Sequence, residues 1–162
     1  MNAVPAGFAE VLREPTCLVG VGNPLRRDDG AGPWIVGAVR EAVSGTRLSV
    51  VDAQSVPENF VPVVARADCR NVVFVDAVAA EGPPGTVVFG LLAEFPEAES
   101  FSTHKLALSF CGKFLEAAKK RVFLLGIVPA DLEFGEGMTP EVESAAAGIR
   151  DLILRAVAPA PR

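Results

Sequence analysis

The chain has 162 residues, of which 50% are hydrophobic and 22% are charged, a balance typical of one compact domain and not of a disordered or fibrous chain. Fifteen Lys and Arg against twenty Asp and Glu give a formal net charge of −5, which excludes broad electrostatic attraction to nucleic acid or to an anionic membrane surface. No apolar run approaches the roughly 18 residues of a membrane-spanning helix, and residues 1–15 lack the apolar core of a signal peptide. We therefore expect a single cytoplasmic domain over residues 1–162 that binds neither nucleic acid nor membrane.

Predicted strands and helices alternate along the chain. Short apolar runs bounded by Gly, Pro, Asp or Asn predict five strands, at Cys17–Val21, Leu48–Val51, Val72–Val75, Thr86–Phe89 and Val122–Val128. Helical periodicity predicts helices at Trp34–Val43, Pro57–Arg66, His104–Lys119 and Pro140–Val157. This order predicts an α/β fold, a three-layer α/β/α sandwich with a mainly parallel twisted sheet of about five strands.

The fourth predicted strand breaks the alternation. The turn sequence at residues 82–85 leaves no room for a crossover helix before Thr86, so we expect this strand to be antiparallel and near an edge of the sheet. The first dozen residues, residues 94–102 and residues 133–137 carry no periodic pattern and are expected to be loose.

Two helix starts have local sequence signals. Ser55 and Glu58 have the spacing of a capping box. Thr139 stands before Pro140, which predicts an N-cap followed by a proline in the first helical turn.

Polar residues follow the predicted strands at the points where each strand ends. Asp28 and Asp29 follow the first strand, Asp52 closes the second, Asp76 closes the third, and His104, the only histidine, opens a helix. Because ligands bind beyond the carboxyl ends of parallel strands, we expect these residues along one edge. Carboxylates with an imidazole suit a divalent metal such as zinc, nickel or manganese. Each residue also has a structural alternative as a helix cap, a turn residue or a first-turn histidine.

The positions of the three cysteines argue against a catalytic or metal-binding thiol. Cys17, Cys69 and Cys111 are widely spaced and form no C-x-x-C pair, which argues against a disulfide framework and a thiolate zinc site. His104 and Cys111 share a predicted helix, where seven residues correspond to about 10.5 Å of axial rise, too far for a hydrogen bond. We expect all three cysteines to be small apolar core residues.

A glycine-rich loop after the first strand offers a nucleotide-binding alternative. Gly20 and Gly22 resemble part of a dinucleotide fingerprint, with Asp52 where a ribose-binding acid would stand. Leu25 replaces the third glycine, and Asp28 and Asp29 would repel a pyrophosphate, so this alternative is disfavoured.

Five motifs, in order and with their spacing, resemble the hydrogenase maturation endopeptidases over about residues 16–157. They are Gly20-x-Gly22-Asn23-x-Leu25-x-x-Asp28-Asp29-Gly30-x-Gly32, Asp52 with Pro57-Glu58-Asn59, Val75-Asp76-Ala77, Ser102-Thr103-His104-Lys105, and Gly126-Ile127-x-Pro129 followed by Met138-Thr139-Pro140. The second and fourth motifs are similar in particular to the branch that processes the hydrogenase-3 large subunit of formate hydrogenlyase.

The resemblance implies a cytoplasmic, monomeric, aspartic-type endopeptidase that removes a C-terminal peptide from the large-subunit precursor of a nickel-iron hydrogenase after nickel insertion. It implies that nickel belongs to the precursor and serves as the recognition element, with no tightly bound metal in the resting enzyme. By matching motifs, Asp29, Asp76 and His104 are the metal-contacting and catalytic trio, and Asp52 is a further carboxylate of the site. Some members of the family carry Glu at the position of Asp29.

Two alternatives remain at this stage. A nickel-dependent chaperone of the same fold would hold the precursor without cutting it, so shortening of the precursor distinguishes the two. A nucleotide-binding regulatory module would instead be stabilised by dinucleotides. For the peptidase, either Asp29 or Asp76 could act as the general base toward water.

Overall fold

A computed structural model of the chain describes residues 3–95 and 105–159. The strands are β1 (Thr16–Val21), β2 (Leu48–Gln54), β3 (Asn71–Ala77), β4 (Val87–Leu91) and β5 (Arg121–Ile127). The helices are α1 (Ala6–Val11), α2 (Ala31–Val43), α3 (Val61–Arg66), α4 (Lys105–Ala117) and α5 (Pro140–Val157). Three short 3-10 turns cover Arg27–Gly30, Pro57–Phe60 and Leu92–Glu94. His104 and most of the predicted loose stretch at residues 94–102 lie outside the described residues.

The strands form one mixed sheet in the order β2-β1-β3-β5-β4. The pairs β1 with β2, β1 with β3, and β3 with β5 are parallel, whereas β4 runs antiparallel to β5 at the edge of the sheet. Both the mainly parallel sheet and the antiparallel edge strand are therefore confirmed. None of the helices in the described ranges is long and apolar enough to cross a bilayer.

Alternating strand side chains divide the core into two clusters, one on each face of the sheet. Leu18, Val75 and Leu125 pack with α1, α2 and α5 on what we call the α2/α5 face. Val19 and Phe74 pack with α3 and α4 on the α3/α4 face. The sheet thus lies between two helical layers, which confirms the predicted three-layer sandwich.

The sequence pattern predicted that the first dozen residues would be loose, but residues 3–12 are not. They contain α1, whose Phe8 is fully buried, as is Leu12 just after it. The ring of Phe8 contacts Phe89 of β4 edge to face, with centroids 5.6 Å apart. A six-residue helix is too short to show a clear period and too short to be stable alone, so tertiary packing explains it.

The predicted helix over Pro57–Arg66 is divided, and its predicted capping box is not formed. A 3-10 turn over Pro57–Phe60 precedes α3, and no side chain caps either start, so the prediction for Ser55 and Glu58 was wrong. Pro62 explains the division, because a proline lacks the N–H of a continuous helix and its ring clashes with the carbonyl four residues earlier.

The start of α5 is confirmed, with Thr139 at the N-cap and Pro140 in the first turn. The hydroxyl of Thr139 makes no capping hydrogen bond and instead donates to Asp28, at 3.0 Å to Oδ1 and 2.9 Å to Oδ2. The loop at residues 133–137 has no regular secondary structure. It is held to the loop after β1, because Gly135 N–H donates to Leu25 O at 2.8 Å.

Candidate active site

The loop after β1 folds back on the turn that carries Asp29. Gly22 has φ +138° and its N–H donates to Gln54 O at 2.8 Å; a side chain there would collide with the Asp29 carbonyl. The next amide, Asn23 N–H, donates to Asp29 Oδ2 at 2.8 Å. Asp29 is 6% exposed. A glycine is needed at residue 22 because any larger residue would displace Asp29.

A close approach of α2 to the sheet brings this turn to the carboxyl end of β3. A Cβ on Gly20 would lie 2.6 Å from Gly32 O, and a Cβ on Gly32 would collide with Val75 O. The absence of side chains at both glycines lets the backbones touch. The 3-10 turn at Arg27–Gly30 therefore contacts β3, the strand that carries Asp76.

Asp28 is fully buried and belongs to the scaffold of this edge. Its Oδ2 accepts from Ala130 N–H at 2.8 Å and Asp131 N–H at 3.0 Å, and its Oδ1 accepts from Thr139 N–H at 2.7 Å. Neither Asp28 nor Asp29 caps the following helix through its side chain. Asp28 thus fixes the loop at residues 130–139 against the loop after β1.

Asp76 lies near the end of β3 and is fully buried. It pairs in register with Gly126 of β5, and strand alternation puts its side chain on the α3/α4 face with Phe74. A Cβ on Gly126 would collide with Val78 Cγ2 and lie 3.0 Å from Val88 Cγ2. The helix on this face, α4, begins at the residue that follows His104 in the sequence.

Asp52 also lies at a strand end, but the structure places it on the opposite face. It pairs in register with Gly20 and follows Val50, which packs on the α2/α5 face. Its Oδ1 accepts from Gln54 N–H at 3.3 Å. Asp52 lines a cavity of about 430 Å³ together with Trp34 of α2 and other residues. The parallel strands β1, β2 and β3 end at the same edge of the sheet, but the sheet separates Asp52 from Asp76.

The predicted metal trio includes His104, which lies outside the described residues. Within residues 3–95 and 105–159, no three His, Cys, Asp or Glu side chains converge closely enough to hold a metal ion. The structure brings the turn that carries Asp29 into contact with the strand that carries Asp76. A site of three ligands at this contact would need His104 as the third ligand.

Sequence reasoning missed the contribution of the loop before α5. Arg27 pairs with Asp131 at 3.4 Å, and Arg26 Nε donates to Leu132 O at 3.1 Å. Phe134, 82% exposed, lies 6.0 Å from the Arg26 guanidinium carbon, measured to the ring centroid. These contacts join segments more than a hundred residues apart. No local sequence pattern predicts these contacts. The family motif at Met138-Thr139-Pro140 indicated only that this part of the chain belongs to the resemblance.

The cysteines are buried, as predicted for apolar core residues. Burial raises the pKa of Cys17 and of Cys111 to about 11, and burial also raises the pKa of Cys69. Because the thiolate is the nucleophilic form, these thiols are weak nucleophiles at neutral pH. The three cysteines are therefore poorly suited to nucleophilic catalysis, as the sequence predicts.

Known proteins resemble the chain in both sequence and structure. The profile of a family described as HycI, hydrogenase maturation protease, matches residues 36–156. The chain is 29% identical over 128 residues to the hydrogenase 3 maturation protease of Escherichia coli strain K12, covering 79% of this chain and 81% of that protein. The sequence comparisons therefore point to maturation proteases of hydrogenases.

Solved structures give the same result. A NiFe hydrogenase maturation protease HycI from Thermococcus kodakarensis has a TM-score of 0.78 at 22% identity, covering 94% of this chain and 99% of that one. The solution structure of an endopeptidase HycI from Escherichia coli has a TM-score of 0.72 at 26% identity, covering 84% of this chain and 86% of that one. The first of these likenesses concerns the fold, and the second extends to sequence.

Proposed function

Because the chain belongs to the hydrogenase maturation protease family HycI and is therefore a peptidase, we propose that it removes the C-terminal extension of a nickel-iron hydrogenase large-subunit precursor after nickel insertion. In this proposal nickel arrives as part of the precursor, and the resting enzyme is a cytoplasmic monomer without a tightly bound metal. The observation that carries the proposal is the contact between the turn of Asp29 and strand β3, which carries Asp76.

The chemistry of the proposed trio fits a metal that belongs to the substrate. Two carboxylates, Asp29 and Asp76, with the imidazole of His104, would leave coordination positions open on a divalent ion. Nickel already held by precursor thiolates could therefore be contacted without being extracted. The sequence position of His104, directly before a helix on the face of Asp76, supports its membership of the trio.

The proposed cleavage uses water and one carboxylate. Asn23 N–H engages Oδ2 of Asp29, so we assign Oδ1 to the contact with the metal or with water. The attacking water adds its oxygen to the scissile carbonyl carbon and gives its proton to Asp29 or Asp76. The same carboxyl group then passes that proton to the departing amine as the C–N bond breaks. Burial of both aspartates excludes competing solvent around the reacting groups.

The test is incubation of the purified chain with nickel-loaded and nickel-free precursor, followed by intact-mass measurement of the large subunit. We expect a loss of mass equal to the C-terminal extension only for the nickel-loaded form. Asp29→Asn serves as the inactive control. Nickel-dependent binding without any loss of mass would indicate a chaperone, and equal cutting of both precursor forms would contradict recognition through nickel.

A further inference from the structure

The outer face of α4 carries large apolar side chains that are exposed to solvent. Leu106, Phe110 and Phe114, which we call the α4 stripe, are 77%, 59% and 46% exposed. Their spacing of four residues places them on one side of the helix, over about 12 Å of its length. We propose that the α4 stripe docks an apolar, acid-bearing surface of the folded precursor large subunit. The identity of this partner rests on the proposed function, whereas docking itself can be measured without cleavage.

Packing within the chain accounts only for the opposite face of α4. Leu108, Cys111 and Leu115 are buried in the core of the α3/α4 face, and an amphipathic helix normally presents polar residues on its other side. Among the residues that the structure describes, neither α2 nor α5 exposes a large apolar side chain. The rings of Phe110 and Phe114 adjoin, with centroids 6.4 Å apart, so the exposed apolar surface of α4 is contiguous. Surface of this kind marks a contact with another molecule.

The position of the α4 stripe connects it with the precursor. The helix begins at Lys105, directly after His104 of the proposed trio, and Leu106 is the next residue. A peptidase must hold its substrate at the reacting groups, so a precursor bound at this trio also lies beside the first turn of α4. The stripe extends that contact along the helix, away from His104. It therefore suits the folded body of the precursor and not the peptide that is removed.

Lys113 gives this surface a charge preference. It is exposed and follows Leu106 by seven residues, which places it on the same side of the helix. Within residues 3–95 and 105–159, its ammonium group has no ion-pair partner within 4.0 Å. The stripe is therefore flanked by a positive charge, although the formal net charge of the chain is −5. Since opposite charges across an interface favour the correct partner, we expect an acidic side chain of the precursor opposite Lys113.

Binding of nickel-loaded precursor by biolayer interferometry tests the docking surface, and every variant also carries Asp29→Asn so that the precursor is not cut. We expect Phe110→Ser and Phe114→Ser each to weaken binding about tenfold, a usual effect of removing an aromatic side chain from the centre of an interface. Lys113→Glu should weaken binding about fivefold, because it replaces an attraction by a repulsion. Circular dichroism should show parental folding, since all three side chains are exposed.

Glu116→Ser is the matched control, because it places serine at an exposed position of the same helix, about 120° around the axis from Phe110. It should bind precursor as the chain with Asp29→Asn alone does. Equal affinity of the Phe110→Ser and Glu116→Ser chains would overturn the docking surface. So would a dimer in analytical ultracentrifugation that Phe110→Ser dissociates, because the stripe would then hold a second copy of this chain. Binding that depends on Phe110, to a precursor that the parent chain fails to cut, would support docking and contradict only the proposed cleavage.

Discussion

At the scale of single residues, neighbouring aspartates differ because their hydrogen-bond partners differ. Asp28 accepts backbone N–H groups from three residues and the hydroxyl of Thr139, so its carboxylate is engaged in holding two loops together. Asp29 accepts Asn23 N–H at Oδ2, and the 3-10 turn that carries it contacts β3. Residue type and position alone do not tell these two aspartates apart, and only the motif match separated Asp29 from Asp28; the hydrogen bonds show that Asp28 is a scaffold residue.

Asp28→Asn is expected to lower the free energy of unfolding by about 2–4 kcal/mol, because a fully buried carboxylate with charge-assisted hydrogen bonds is replaced by an amide whose N–H₂ faces donors. Thr139→Val removes only the hydroxyl contacts and should cost less, about 1 kcal/mol. Urea denaturation followed by circular dichroism measures both. A midpoint for Asp28→Asn equal to that of the parent chain would show that Asp28 is not the anchor of this edge.

The proposed trio should be essential for cleavage and dispensable for folding. Asp29→Asn, Asp76→Asn and His104→Ala are each expected to slow precursor processing by about a hundredfold or more, the usual contribution of a group in proton transfer or metal contact. Asp68→Asn, an exposed acid before β3, is the control and should leave processing unchanged. If two trio variants with parental circular dichroism spectra process precursor at the parental rate, the assignment of the site is wrong.

At the scale of elements, the fold class and all five strands could be predicted because continuous apolar runs and turn residues are local signals. The face of the sheet on which each strand-end aspartate lies could not be predicted. Asp52 and Asp76 both follow apolar runs, and only the packing of α2 on one face and α4 on the other separates them. An irregularity in the pairing of β1 with β2, between Gly20 and Val21, changes the register near Asp52. Local sequence does not encode that shift clearly.

Two glycines of α2 should respond oppositely to alanine. A Cβ at Gly32 would collide with Val75 O and lie 2.7 Å from Val21 O, so Gly32→Ala should destabilise the chain by about 3 kcal/mol or prevent folding. Gly37 is exposed and has no atom within 4 Å of such a Cβ, so Gly37→Ala should stabilise by about 0.5–1 kcal/mol. Thermal and urea unfolding test both, and a neutral Gly32→Ala would refute the close packing of α2 on the sheet.

At the scale of the whole molecule, the candidate site depends on segments that are distant in sequence. The loop after β1 is held by Asp28 to residues 130–139, while β3 brings Asp76 from the middle of the chain. Sequence reasoning could identify the strand ends, because parallel topology alone assembles them at one edge. It could not identify the cavity walls, since Trp34, Met138 and Glu143 converge only after α5 packs on α2.

If nickel is part of the substrate, the purified protein should itself hold little metal. Elemental analysis of the purified chain should find far less than one metal ion per molecule, because two carboxylates and one imidazole supply fewer ligands than a closed tetrahedral site. Zinc added before the precursor should slow cleavage by filling those positions, whereas zinc added after the nickel-loaded precursor has docked should have little effect. Stoichiometric, tightly bound zinc together with rapid cutting of nickel-free precursor would instead indicate an ordinary metalloprotease.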